Sequence, residues 1–138
     1  MNLYSARLDI VGDTAELILG SQRLTLPPAV VKQSTELTSF NGAELIVGIR
    51  PEVLTDPASS GASAAPGASL TADVELVEVL GTEQLVHFQL DAERIGDEPA
   101  GVARVAPRAA IQPHARTVLA VDTERLHFFD PATGAAIY

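Results

Sequence analysis

Cysteine is absent from the 138 residues, and so is tryptophan. Without thiols there is neither a disulfide framework nor a thiolate metal site, a pattern that fits the cytoplasm. Lysine occurs once, at Lys32. Nine basic residues face eighteen acidic ones, giving a formal charge of −9. Such a chain repels nucleic acid and anionic lipid surfaces. Its few aromatics, four Phe and two Tyr, supply no stacking platform for single strands, so nucleic acid is not an expected partner. No apolar run approaches the ~20 residues that span a bilayer. Residues 1–10 also lack the charged and apolar regions of a signal peptide.

The machinery of catalysis is missing as well. The phosphate-cradling pattern G-x-x-x-x-G-K-[ST] is absent, no glycine loop precedes Lys32, and no G-x-G-x-x-G occurs. An ATPase site is thereby excluded for this chain. His87, His114 and His127 lie in separate segments, without the close spacing of a local zinc motif. The carboxylates read as a solvated acidic surface. The serines gather in a stretch too unconstrained to hold a nucleophile.

What is present is alternation of period two. Tyr4, Ala6, Leu8 and Ile10 share one face, with Ser5, Arg7 and Asp9 on the other. Gly12-Asp13 turns the chain, Ala15, Leu17 and Leu19 form the next apolar face, and Gly20-Ser21 leads to Leu24 and Leu26. These segments predict a three-stranded meander. Pro27-Pro28 ends it, and residues 29–37 are expected to contain a short helix. Residues 44–50 form a strand, apolar on Leu45, Val47 and Ile49, with Ile46 implying burial on the second face too.

Residues 55–69, TDPASSGASAAPGAS, predict a flexible surface loop inside the domain. Residues 73–80 and 84–90 flank Gly81-Thr82-Glu83 and predict a hairpin. In its first strand the apolar phase changes from Val74 and Leu76 to Val77 and Val79, which predicts a β-bulge near Val77-Glu78. His87 alternates with Val86 and Phe88, so it belongs on the outer face with Gln89. An acidic loop at 91–101 and short strands at 102–105, 117–121 and 126–129 complete the chain. Many short strands and no long helix predict an all-β barrel with at most one short helix.

Gly48-Ile49-Arg50-Pro51-Glu52 stands apart. Pro51 has no N–H for the ladder and stops the strand. Arg50 is then free to pair with a carboxylate such as Glu52 or Glu78. A strand-ending ion pair and a contact to a partner domain both remain open readings of this segment.

The residues now resemble a known family. Val47-Gly48-Ile49-Arg50-Pro51-Glu52 is similar to the V-G-I-R-P-E segment of ATPase subunits that drive maltose, trehalose and glycerol-3-phosphate type ABC importers. Val77-Glu78-Val79-Leu80-Gly81-Thr82-Glu83, with Val86-His87, resembles their V-E-x-L-G-x-E…V/I-H hairpin. Glu124-Arg125-Leu126-His127-Phe128-Phe129-Asp130-Pro131, followed by Thr133-Gly134, resembles their E-R-x-H-L-F-D-x-x-T-G ending. Met1-Asn2-Leu3 is similar to the junction after their motor domain.

The resemblance implies an OB-like β-barrel, a C-terminal regulatory domain of the TOBE, or molybdate-binding-protein-like, kind spanning residues 1–138. It implies that the nucleotide-binding domain is absent, and that ATP and magnesium belong to that domain. The implied partners are the chain's own motor domain, a second copy of the subunit, the transmembrane permease through these, and an inhibitory regulatory protein or ligand. The implied place is the cytoplasmic face of the membrane. Gly42 and Glu78 match positions in regulatory surfaces, and Arg50, Glu52 and Glu78 are the expected network that fixes such a surface. The resemblance also makes an aromatic expected near Thr25, and none is there. The alternative expectation is a small-ligand or oxyanion-sensing OB-like module.

Overall fold

The structure, a computed structural model, describes residues 1–60 and 67–138. The alternation read from the sequence is realised in β1 (Asn2–Val11), β2 (Thr14–Leu19) and β3 (Gln22–Leu26), which pair antiparallel as the predicted meander. Tyr4, Ala6 and Leu8 of β1 are buried, while Arg7 between them is exposed. The N-terminal half of β1 pairs instead with β4 (Glu44–Ile49), from Arg7↔Glu44 to Asn2↔Ile49. β10 (His127–Phe129) closes this first sheet on the other side of β4, in the order β10-β4-β1-β2-β3.

The second sheet runs β5-β9-β6-β7-β8. Its strands are β5 (Leu54–Thr55), β6 (Ser69–Val79), β7 (Gln84–Gln89), β8 (Gly101–Val105) and β9 (Arg116–Val121). Inward side chains from both sheets form one apolar cluster. Tyr4, Leu8, Leu17, Leu45 and Ile49 come from the first sheet, and Leu70, Val86, Phe88 and Leu119 from the second. Each fully buried side chain of this size contributes about 1.5–3 kcal/mol. The result is the nearly all-β architecture that the short strands predict, OB-like as the resemblance implies.

Two carboxamides stitch the sheets together. Asn2 Nδ2 donates to Val102 O at 2.9 Å, and Val102 N–H donates back to Asn2 Oδ1 at 2.8 Å. Gln22 does the same to Thr71, donating to its carbonyl at 2.8 Å and accepting its N–H at 2.6 Å. The acidic segment after β7 is more than a surface loop. Ser5 N–H donates to Glu93 O at 2.8 Å and Ile95 N–H to Leu3 O at 2.9 Å. Residues 93–95 therefore occupy the edge of β1 that β2 does not reach.

The helix expected over 29–37 is shorter. α1 (Pro28–Gln33) stops at Ser34, and Leu37 instead opens a 3-10 turn (Leu37–Phe40) with its side chain fully buried. Gly48 is buried and would meet Met1 and Phe129 if it carried a Cβ, so β4 is covered on its second face, as Ile46 implies. The expected loop 55–69 starts with structure. Thr55 belongs to β5, and Pro57–Ser60 form a helical turn, α2, with Ala58 N–H donating to Asp56 Oδ1 at 3.3 Å. Ser69 already belongs to β6, and residues 61–66 of that expected loop lie outside the described residues.

The bulge is present but earlier than expected. The register runs Val74↔Phe88 and then Leu76↔His87, so the extra residue is Glu75, not one near Val77-Glu78. Val77 faces buried Val86 and keeps the inner phase, whereas Leu76 is turned outward and is 51% exposed. Counting Leu76 among the buried set placed the shift too late. A charged residue fits the unpaired position of a bulge better than an apolar one.

Candidate functional site

Arg50 leaves β4 in an extended conformation, and its carbonyl accepts the Val53 N–H at 3.0 Å as the chain turns at Pro51–Val53. The side chain is exposed. Its Nε donates to Nε2 of His127 at 3.3 Å, which requires an imidazole with a free lone pair on that nitrogen. Antiparallel pairing puts His127 opposite Gly48 and so brings the ring alongside the strand end. Arg50, Glu52, Glu124, Arg125 and His127 line one shallow depression. Among the described residues no ion pair joins Arg50 to Glu52 or to Glu78, contrary to the expected carboxylate pair.

Glu78 is elsewhere because the bulge sends it to the outer face of the second sheet. There its Oε1 lies 2.6 Å from Nε2 of His87. The His87 side chain is 25% exposed and that of Glu78 is 46% exposed. Leu76 is the cross-strand partner of His87, and Leu85 that of Glu78. The outer face of this hairpin is thus a hydrogen-bonded His–Glu pair flanked by two leucines, and Val79 and Leu80 extend the exposed apolar surface to its tip.

Gly42 lies at the opposite end of β4 from Arg50, with the six-residue strand between them, about 20 Å long at the rise of an extended chain. It has φ +77, a conformation that side chains other than glycine adopt with strain. Its N–H donates to Leu8 O at 2.7 Å, and the neighbouring Asn41 Oδ1 accepts the Ile10 N–H at 2.8 Å. Gly42 therefore fastens the end of β1. The four candidates do not form one network: Arg50 and Glu52 share a depression, while Gly42 and Glu78 occupy separate surfaces.

Sequence reasoning missed His127, Glu124 and Arg125 as neighbours of Arg50, although all three fall in the E-R-x-H stretch that carries the resemblance. It also left Tyr4 and Arg94 unconnected. Tyr4 is fully buried, and the Arg94 guanidinium lies 5.6 Å from the centre of its ring. Burial pushes the phenol up to about 12, partly offset by the Arg94 charge, and the Tyr4 hydroxyl has no hydrogen-bond partner among the described residues.

Lys32 is exposed on α1 without a glycine loop before it. No cluster of three or more His, Asp or Glu side chains among the described residues is arranged to hold a metal ion. None of the described helices is long and apolar enough to cross a membrane.

Comparison with known proteins agrees with this architecture. The sulfoquinovosyl glycerol transport ATP-binding protein SmoE of Agrobacterium fabrum is 34% identical over 138 residues, covering 100% of this chain and 34% of that protein. The oligosaccharides import ATP-binding protein MsmX of Bacillus subtilis is 31% identical, covering 99% and 34%. The trehalose/maltose import ATP-binding protein MalK of Thermococcus litoralis is 33% identical, covering 100% and 34%. The chain thus spans about a third of the length of these relatives. Among solved structures, the cytoplasmic molybdate-binding protein ModG has the same fold, with a TM-score of 0.61 at 18% identity over 94% of this chain and 96% of that one. A sequence profile described as the TOBE domain matches residues 47–129, and the chain belongs to that family.

Proposed function

We propose that this chain is the regulatory and dimerisation domain of the ATPase subunit of an ABC importer for sugars or glycerol-3-phosphate-type solutes. The observation that carries the reading is the alignment of the whole chain with one third of several import ATP-binding proteins. ATP and magnesium belong to the motor domain of such a subunit. The chain's own partners are that motor domain, a second copy, the permease through both, and an inhibitory protein or ligand. It works at the cytoplasmic face of the membrane.

In this reading the exterior of the barrel does the work. A regulator that binds the open arrangement of two subunits better than the closed one holds the motor open, and the shift is limited to that difference in affinity. The outer face of the β6–β7 hairpin suits such a contact, because the bulge at Glu75 re-aims Leu76 and Glu78 toward solvent. The oxyanion-sensing alternative has less support. Arg50 and Arg125 share a depression, but Glu52 and Glu124 line the same walls.

The test uses the full-length subunit assembled with its permease. Charge reversal at Glu78, and separately at Glu52, is expected to raise the ratio of inhibited to uninhibited ATP hydrolysis toward one. An unchanged ratio in both variants removes these faces from the regulatory contact. Failure of the subunit to co-purify with a permease removes the importer reading itself.

A further inference from the structure

We propose that residues 93–98 form a strap that lifts off the edge of β1 while the barrel stays folded, and that Arg94 keeps its closure weak. The segment is fixed at both ends. Asp91 packs against Gly20, where an added Cβ would fall 1.2 Å from the Asp91 carbonyl oxygen. Gly101 is already in β8, opposite Phe88. Between these points the main-chain hold on β1 is two hydrogen bonds among the described residues. Ser5 N–H donates to Glu93 O at 2.8 Å and Ile95 N–H to Leu3 O at 2.9 Å, on either side of the Tyr4–Arg94 pair.

Two observations set that hold near its limit. The first is the direction of Arg94, the strap's one cation. It turns inward, with its guanidinium 5.6 Å from the centre of the Tyr4 ring. Its Nε and Nη1 are buried without a hydrogen-bond partner, and so is the Tyr4 hydroxyl. The ring attracts the cation, but buried N–H groups that lose water without gaining an acceptor oppose closure. A guanidinium stays charged, so it cannot relieve the cost by giving up a proton. The second is the charge of the strap. Glu93, Asp97 and Glu98 are exposed, and none of them is in an ion pair among the described residues. On a chain of charge −9 they are repelled by the barrel they lie on. Lifting the strap returns the guanidinium to water, within reach of these neighbouring carboxylates.

The barrel survives the opening because β1 keeps its other neighbour. Its pairing with β4 runs unbroken from Asn2↔Ile49 to Arg7↔Glu44. Release uncovers only the stretch from Leu3 to Ser5, which β2 does not reach. The strap is thus a guard on a strand edge. Closed, it keeps that edge from pairing with another chain; open, it presents one. This device goes beyond the regulatory reading and does not rest on it, since it belongs to the barrel alone.

The experiment is native-state amide exchange by NMR on the 138-residue chain, because neighbouring amides of β1 report on different partners. Ser5 N–H points to the strap, so the alternation of an antiparallel strand points the Tyr4 and Ala6 N–H groups to β4. Corrected for intrinsic rates, Ser5 and Ile95 are expected to exchange at least about tenfold faster than Tyr4 and Ala6. Their exchange is expected to depend little on low urea, while that of Tyr4 and Ala6 follows global unfolding. Arg94→Met keeps a long side chain and removes the buried donors. It is expected to slow Ser5 and Ile95 by about threefold or more. Ser5 exchanging as slowly as its two neighbours, a urea dependence at Ser5 equal to theirs, or faster exchange at Ser5 and Ile95 in Arg94→Met would each overturn the proposal. The first two readings need only the parent chain, so the proposal stays testable if Arg94→Met fails to fold.

Discussion

The side-chain amide of Asn2 and the backbone of Val102 bond to each other in both directions, at 2.9 and 2.8 Å, across 100 residues of sequence. The second amide hydrogen of Asn2 goes to Ile49 O at 2.9 Å, and the residue is 4% exposed. Both amide hydrogens and the amide oxygen of Asn2 are thus engaged where the two sheets meet. Asn2→Ala leaves the Val102 N–H and two carbonyls without these partners and is expected to cost about 2–3 kcal/mol. Asn2→Asp keeps the acceptor but loses both donors and is expected to cost at least as much. Urea unfolding checks both, and an Asn2→Ala variant as stable as the parent would show that the clasp carries no weight. Gln22→Ala removes the more exposed clasp, where water substitutes, and costs about 1 kcal/mol or less.

Gly20 and Gly42 separate two costs that are usually mixed. Both have positive φ, +59 and +77. Around Gly42 nothing lies within 4 Å of an added Cβ, whereas at Gly20 the atom would fall 1.2 Å from the carbonyl oxygen of Asp91. Gly42→Ala is expected to cost about 1 kcal/mol, the backbone strain alone. Gly20→Ala must also push the 91–95 segment away and is expected to cost more than about 2 kcal/mol. Equal thermal midpoints for the two variants would contradict the close approach of that segment.

The position of the bulge is tested by polar substitution along β6. Leu76→Ser touches an outward, half-exposed side chain and is expected to change stability by less than about 0.5 kcal/mol. Val74→Ser, at a position 3% exposed, is expected to cost about 2–4 kcal/mol. If the shift lay at Val77-Glu78, Leu76 would face inward with Val74 and Leu76→Ser would be costly as well.

Tyr4 makes stability depend on alkaline pH. Its phenol is pushed up to about 12 by burial, from an ordinary value of 10.0. Below the ordinary value the group is neutral in both states and contributes no slope. Above it the unfolded chain gives up the proton first, so stability falls as pH rises and levels off beyond the folded value. The whole loss is about 3 kcal/mol. Tyr4→Phe lacks this slope. The difference in urea midpoint between parent and variant is therefore expected to be flat from about pH 8 to 9.5 and to decline above about pH 10.

Much of this fold is written in local pattern. The meander, the hairpin and the inward face of β7 follow from period-two alternation and from Gly-containing turns, because one buried face fixes the register. What pattern does not carry is which distant segments meet. Nothing in the composition of residues 93–95 marks them as the second neighbour of β1, since a backbone edge accepts any sequence. Leu76 misled for a related reason: an apolar residue at a bulge looks like core until the partner strand is placed. At the candidate site the grouping of the residues was not legible. Arg50 was expected to seek a carboxylate, but strand pairing delivers His127 first, and Glu78 is taken by His87 on the other sheet.

Tyr138 is held by its backbone on both sides. Glu36 N–H donates to Tyr138 O at 3.0 Å, and Tyr138 N–H donates to Glu36 Oε2 at 3.4 Å, spanning 102 positions. With the Asn2 clasp, this ties two early segments to partners 100 or more positions away. Such long-range pairing makes for slow folding. Until it is complete the first sheet stands with its inner face wet, and that interval is where a chaperone or a neighbouring unfolded chain would find it.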